Sequence, residues 1–169
     1  AGLEYTGALK VLQMIFSYEY LWIQIRVKGG AYGCMCSFSD QGDSMFVTYR
    51  DPNLSESYKV YDEAADYVVD FDADDRDMKK YIIGTIGSMD MPMEAVDMGA
   101  RSFHAYFLGK TEADLQKVRD QVLSCTQEDI RALAPIVKAV VEAGNRCCIG
   151  NEEKIDQNKE YFDEVKHVL

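Results

Sequence analysis

Two polar side chains with useful chemistry lie on either side of a glycine pair. Arg26 and Tyr32 flank Gly29 and Gly30, where a helix-like pattern passes into a strand-like one. A guanidinium and a phenol can bind peptide carbonyls, or stabilise a carbonyl oxygen as it becomes an oxyanion. A simpler interpretation is that Arg26 is a cation favoured at a helix C-terminus and that Tyr32 is an ordinary strand aromatic. The residues alone leave both interpretations open.

The other residue types give no catalytic constellation. A zinc site needs three or four convergent ligands, and His104 and His167 lie far apart with no H-x-x-E-H around either. We expect His104, on an apolar helix, to lie in the core or at its boundary. Cys34 and Cys36 would share one strand face and could form half of a metal site, although free cysteine is more often a small buried hydrophobe. No glycine-rich segment has the spacing of a phosphate loop.

Composition limits the partners of the chain. Its 169 residues carry a net charge of −11, and such a surface repels nucleic-acid phosphates. The same field would attract cationic ligands, including basic peptides, or it would only provide solubility. The apolar stretch over residues 8–25 is interrupted by polar side chains, so we expect a buried helix and no membrane contact. Five cysteines without a disulfide pattern, and no visible signal peptide, favour a cytoplasmic or organelle-interior location.

The elements that must position Arg26 and Tyr32 follow from hydrophobic periodicity. Apolar residues at three- and four-residue spacing predict one long helix over residues 6–28, ended by Gly29 and Gly30. Its predicted buried face is Leu9, Leu12, Phe16, Tyr20, Ile23 and Val27. Alternating residues predict two strands, residues 31–39 and 44–50, joined by a turn into an antiparallel hairpin.

Helical patterns dominate the rest of the chain. One amphipathic helix is predicted through residues 58–68, another that opens with the acidic residues 72–77, and a third over 93–108. Thr111 and Thr126 each precede an Asp by three residues, which predicts a capping box, and Pro135 should kink or split the helix after Thr126. Residues 146–150 are predicted to form a short buried strand, and residues 151–168 are predicted to form a final helix.

The predicted fold is α+β, with an antiparallel sheet packed on one face by several helices. Two or three strands make a thin sheet for so many helices, so we expect that strands preceding Ala1 are missing. An exposed sheet edge would then allow self-association through strand pairing. Residues 1–169 are predicted to form a single domain.

Four segments carry a resemblance to a known family. They are YLWIQIRVKGGAYG, FVTYRDPNL, IIGTIGSMDMP and TQEDIRALA. They resemble the C-terminal part of the insulinase/pitrilysin-type zinc metallopeptidases, most closely the presequence-protease subfamily, over roughly residues 5–165. The resemblance implies four related α+β domains, in two halves that close around unstructured peptides, with zinc held by an H-x-x-E-H helix in the first domain.

The resemblance also implies roles for particular residues. The last domain of such an enzyme supplies an Arg and a Tyr, which match Arg26, for the substrate backbone, and Tyr32, for the scissile carbonyl oxygen. Gly29 and Gly30 belong to the same predicted substrate-binding segment. Because H-x-x-E-H is absent here, the chain is predicted to be a C-terminal fragment that binds no zinc, is inactive alone and needs the missing N-terminal domains. The alternative is a non-catalytic scaffold or peptide-binding subunit.

Overall fold

The first helix of the chain changes its geometry part-way along. The computed structural model describes residues 2–167, and in it α1 (Ala8–Ile15) continues into two π-helical segments, Phe16–Tyr20 and Trp22–Lys28. A π-helix closes its hydrogen bonds over five residues instead of four. The predicted continuous helix is therefore present, but its second half is wider than an α-helix.

Because of the π geometry, the buried face of this helix differs from the predicted one. Leu9, Leu12, Phe16 and Tyr20 are buried as expected, whereas Ile23 and Val27 are exposed. Leu21 and Ile25 are buried in their place, five residues after Phe16 and Tyr20. The buried stripe thus follows the i to i+5 spacing of the π segments, which a 3.6-residue period does not anticipate.

The predicted hairpin forms after the glycine pair. Strands β1 (Gly33–Phe38) and β2 (Ser44–Tyr49) pair antiparallel, with Cys36 opposite Phe46. Cys36 and Phe38 face the helices and are buried, while Met35 on the other face is exposed. Within residues 2–167 this two-stranded sheet has no further strand. Self-association through its edge stays a prediction, and the predicted strands before Ala1 lie outside the described residues.

The rest of the chain is helical, which confirms the α+β class. The helices are α2 (Leu54–Asp62), α3 (Ala64–Val69), α4 (Asp75–Met89), α5 (Ala95–Phe107), α6 (Glu112–Leu123), α7 (Gln127–Arg131), α8 (Ala134–Glu142) and α9 (Glu152–Asp156), followed by a 3₁₀ turn, Lys159–Tyr161. Helix α1 packs against α4, α6, α7 and β1, and α3 packs against α8. No helix among residues 2–167 is long and apolar enough to cross a membrane.

Several predicted helix boundaries are confirmed. The Asp74 side chain accepts from the backbone of Arg76 and Asp77 at the start of α4, as the acidic segment suggested. Thr111 and Thr126 both form complete capping boxes. Pro135 lies in the first turn of α8, where its missing N–H costs nothing, so α7 and α8 are separate helices.

Other predictions were wrong. The helix predicted through residues 58–68 is divided at Glu63 into α2 and α3. Residues 146–150 form no strand, because they find no strand partner within residues 2–167, and Ile149 is 88% exposed. The final helix is only α9 and a 3₁₀ turn, and Val168 lies outside the described residues. His104 is exposed, neither in the core nor at its boundary.

Candidate functional site

The glycine pair ends the π-helix with a tight backbone reversal. Gly30 has a φ of 77°, a conformation that glycine adopts without a Cβ penalty. The N–H of Gly30 donates to the carbonyl of Arg26, and the N–H of Ala31 donates to the carbonyl of Ile25. A Cβ on Gly29 would lie 2.5 Å from that Ile25 carbonyl oxygen. Both glycines are therefore required by the backbone, and their predicted part in substrate binding stays a prediction.

Arg26 is held by two contacts at this reversal. Its Nε donates to the backbone carbonyl of Tyr32 at 3.0 Å, and its guanidinium carbon lies 4.0 Å from the centre of the Trp22 ring. Such a cation–π contact is attractive because the ring face is electronegative. The terminal Nη groups of Arg26 form neither a hydrogen bond nor an ion pair with any residue from 2 to 167. Its position is fixed while its outer donors remain available.

Tyr32 presents its ring to solvent beside a second tyrosine. The side chain is 64% exposed, and its ring meets that of Tyr49 edge-on at 5.8 Å between centroids. The guanidinium of Arg50 lies 5.7 Å from the Tyr32 ring and 5.2 Å from the Tyr49 ring. The backbone N–H of Tyr32 also donates to the carbonyl of Arg50. Tyr49, at the end of β2, thus supports Tyr32 through its side chain, and Arg50, directly after β2, supports it through both backbone and side chain.

The segment after β2 secures the same corner. Arg50 has a positive φ of 49°, which is uncommon for a residue with a side chain. Asn53 Nδ2 donates to the Gly29 carbonyl, so the residues after β2 are tied to the glycine pair. Asp51 accepts from the Asn53 N–H and from the Ser57 hydroxyl, which fixes the turn into α2. We call residues 22–33 and 49–53 the helix–hairpin corner.

Electrostatics near the corner do not favour thiol chemistry. Burial raises the pKa of the Cys34 thiol, an effect that the Arg26 guanidinium opposes and Asp51 reinforces. Burial raises the pKa of Cys36 to about 12, so this thiol stays protonated near neutral pH. No group of three or more His, Cys, Asp or Glu side chains in the described part of the chain could hold a metal ion. These residues therefore do not fit a zinc site.

Comparison with known proteins identifies the family. A family model described as "PreP C-terminal domain" matches residues 1–151. The chain belongs to this family. It is 33% identical, over 99% of its length, to "Presequence protease 1, chloroplastic/mitochondrial" of Arabidopsis thaliana, of which it covers 16%. It is 34% identical, over 88% of its length, to "Presequence protease, mitochondrial" of Aspergillus fumigatus, of which it covers 14%.

A bacterial relative is also similar throughout. "Protein HypA" of Clostridium perfringens is 41% identical over 99% of this chain, which covers 17% of that protein. The chain thus spans about one sixth of the length of these curated relatives. The resemblance to the presequence proteases is confirmed, and the chain is a peptidase-related domain.

The structure of this PreP C-terminal domain brings together the residues that the sequence predicted. Arg26, Gly29, Gly30 and Tyr32 lie in one corner, joined by the hydrogen bond from Arg26 to Tyr32. Sequence reasoning missed the supporting residues, which are Trp22, Tyr49, Arg50 and Asn53. Trp22 could have been found from its spacing, because it lies four residues before Arg26 on a helix. The others required the strand register, since β2 comes back to the corner only through its pairing with β1.

A groove of about 740 Å³ lies elsewhere on the domain. Its walls are residues 2–5, the turn between the strands, Tyr58 and Tyr61 of α2, and the end of α8. Neither Arg26 nor Tyr32 lines it. The helix–hairpin corner therefore lies outside this groove, and its Tyr32 ring is exposed to solvent.

Proposed function

We propose that this chain is the substrate-binding last domain of a peptidase that degrades short, unstructured peptides. Membership of the PreP C-terminal domain family supports the peptidase class. The observation that carries the proposal is the hydrogen bond from Arg26 Nε to the Tyr32 carbonyl oxygen. This hydrogen bond holds a guanidinium and an exposed phenol at one corner. In this proposal Gly29 and Gly30 shape the segment along which the substrate backbone lies.

The two side chains have different roles. Arg26 uses its outer Nη donors to bind a carbonyl of the substrate backbone, because its Nε already donates a hydrogen bond to the Tyr32 carbonyl. The Tyr32 phenol donates a hydrogen bond to the scissile carbonyl oxygen, where negative charge develops. Donors fixed before the reaction stabilise such charge without reorganisation. The contacts of Trp22 and Arg50 provide that fixation.

The remaining machinery belongs to another part of the polypeptide. The resemblance implies a zinc ion, and residues 2–167 do not fit one, so we place its ligands in the preceding domains. The chain alone is then inactive and acts only when those domains meet the corner. All five cysteines are free thiols, which supports a cytoplasmic location, or an organelle interior if the source is eukaryotic.

Kinetics of the full-length protein test this proposal. Tyr32→Phe removes the phenolic donor and keeps the ring, and we expect kcat to fall about 10²–10³-fold. Arg26→Ala should lower kcat/KM by a comparable factor, since it removes the substrate-backbone contact. Tyr18→Phe is the matched control, because Tyr18 is an exposed tyrosine of the π segment outside the corner. Its rate on an unstructured basic peptide should equal the parental rate.

One result would overturn the assignment. If Tyr32→Phe and Arg26→Ala both cleave the peptide at the parental rate, neither side chain serves catalysis. A full-length protein that lacks H-x-x-E-H, cleaves nothing and still binds peptides would instead support the scaffold or peptide-binding subunit.

A further inference from the structure

Helix α5 is amphipathic, yet its apolar face is uncovered. At 100° per residue, one side of the helix carries only apolar or small residues. They are Ala95, Val96, Gly99, Ala100, Phe103, Tyr106 and Phe107. The four largest of these side chains are exposed: Val96 by 79%, Phe103 by 65%, Tyr106 by 81% and Phe107 by 71%. No residue of α5 is buried against the rest of residues 2–167.

The helix is nevertheless held in place at both ends. Before α5, Asp90 accepts two hydrogen bonds of 2.6 Å from the guanidinium of Arg119 on α6. After α5, Lys110 forms an ion pair with Asp40 in the turn between the strands. These contacts fix the ends of residues 90–110, whereas the apolar face between them points away from the chain. We call this surface the α5 face.

The exposed side chains form a continuous surface. The rings of Phe103 and Phe107 lie 4.7 Å apart, and Tyr106 meets Phe107 edge-on at 6.3 Å. Contiguous apolar surface of this kind marks an interaction site, because water around it is released when a partner covers it. The polar side of the helix carries Asp97, Arg101 and His104, which makes the apolar side the one to be covered.

The length of the relatives indicates the occupant. This chain spans about one sixth of each relative, and its family is described as a C-terminal domain, so most of such a polypeptide precedes it. A preceding domain on the same polypeptide is present at high effective concentration. A second copy would bring two surfaces of charge −11 together, which is unfavourable. An uncharged, aromatic face is typical of the core of a permanent interface.

We propose that the α5 face packs against the preceding domains of the same polypeptide and is buried there. This inference rests on the proposed function only in requiring the longer polypeptide, not in the roles of Arg26 and Tyr32. The partner surface is apolar and uncharged, to match Val96, Phe103 and Phe107. Docking at α5 would hold the corner in a fixed position relative to the domains that carry the rest of the site.

Hydroxyl-radical footprinting of the full-length protein tests the inference. Oxidation of Phe103, Tyr106 and Phe107 is compared between the native and the urea-unfolded protein, at two protein concentrations tenfold apart. We expect the native rings to be oxidised several-fold more slowly, equally at both concentrations. Native rates equal to the unfolded rates would overturn the proposal. Protection that disappears on dilution would also overturn it, because it would show that a second copy covers the face.

A pair of variants provides a second measurement. Phe103→Ser combined with Phe107→Ser should lower the Tm of the full-length protein, whereas Ile83→Ser, at an exposed apolar site on α4, should not. Equal Tm values for the two variants would contradict the proposal. If the double variant does not fold, footprinting of the parental protein decides alone. Neither measurement uses peptidase activity, so failure here is distinguishable from failure of the proposed roles of Arg26 and Tyr32.

Discussion

The helix over residues 8–28 and helix α5 have similar patterns and opposite environments. In the first, Val11, Leu12, Ile15 and Phe16 are completely buried under α4, α6, α7 and β1. In α5, an equally apolar stripe meets solvent. The comparison shows that an amphipathic pattern predicts a helix and the face to be covered, but does not say which part of the protein covers it.

The two regions also differ in what fixes them. The first helix is held by packing, with the Phe16 ring in contact with Phe38 and Phe46 of the hairpin. Helix α5 is held by ion pairs at its ends, which are exposed and individually weak. Stability within this chain should therefore depend far more on the first region.

The largest expected contrast is between two phenylalanines. Phe16→Ala should lower the free energy of unfolding of the 169-residue chain by about 3–5 kcal/mol, because it leaves a cavity in the core. Phe103→Ala should change it by no more than about 0.5 kcal/mol, because the ring is exposed. Urea denaturation followed by circular dichroism measures both. Equal losses would show that α5 is covered within this chain.

Two glycines should give effects of opposite sign. Gly29→Ala places a methyl group against the Ile25 carbonyl oxygen and should cost about 1–3 kcal/mol in the same assay. Gly99→Ala, in the exposed middle of α5, meets no atom within 4 Å and should stabilise the chain by roughly 0.5–1 kcal/mol through better helix propensity. A stabilising Gly29→Ala would contradict the backbone geometry of the corner.

The smallest effect concerns the ion pair before α5. Hydrogen bonds from Arg119 hold the pKa of Asp90 below its ordinary value of 3.8. Since the folded-state pKa is the lower one, the pair stabilises the chain above about pH 4, and this contribution is lost as pH falls through the folded-state pKa. The stability difference between the parental chain and Asp90→Asn should therefore be constant from pH 7 to 5 and decrease as the pH falls below about 4. A difference that grows on acidification would reverse the sign of this argument.

Local chemistry made part of the structure predictable. Gly29 and Gly30 ended the first helix, and Thr111 and Thr126 capped theirs, because each effect acts over a few neighbouring residues. The hairpin was predicted for the same reason, since alternation and a short turn define both strands. The proximity of Arg26 and Tyr32 followed from these elements together with the family resemblance.

Non-local packing explains the failures. The π segments appear where Leu21 and Ile25, in place of Ile23 and Val27, turn toward the core. Residues 146–150 have an apolar pattern, but Arg146 instead pairs with Asp62 at 3.1 Å and its guanidinium lies 5.1 Å from the Tyr58 ring. Neither outcome is encoded within a short window of sequence, because each depends on groups at least tens of residues away.

The sequence alone determined most of the element types, the glycine reversal and the residues able to do chemistry, because these depend on side-chain type and short-range hydrogen bonds. Only the tertiary structure decided that Tyr49, Arg50 and Asn53 support the corner and that the α5 face is uncovered. Those results depend on which distant surfaces come into contact, and burial is a property of the whole packed molecule rather than of any segment.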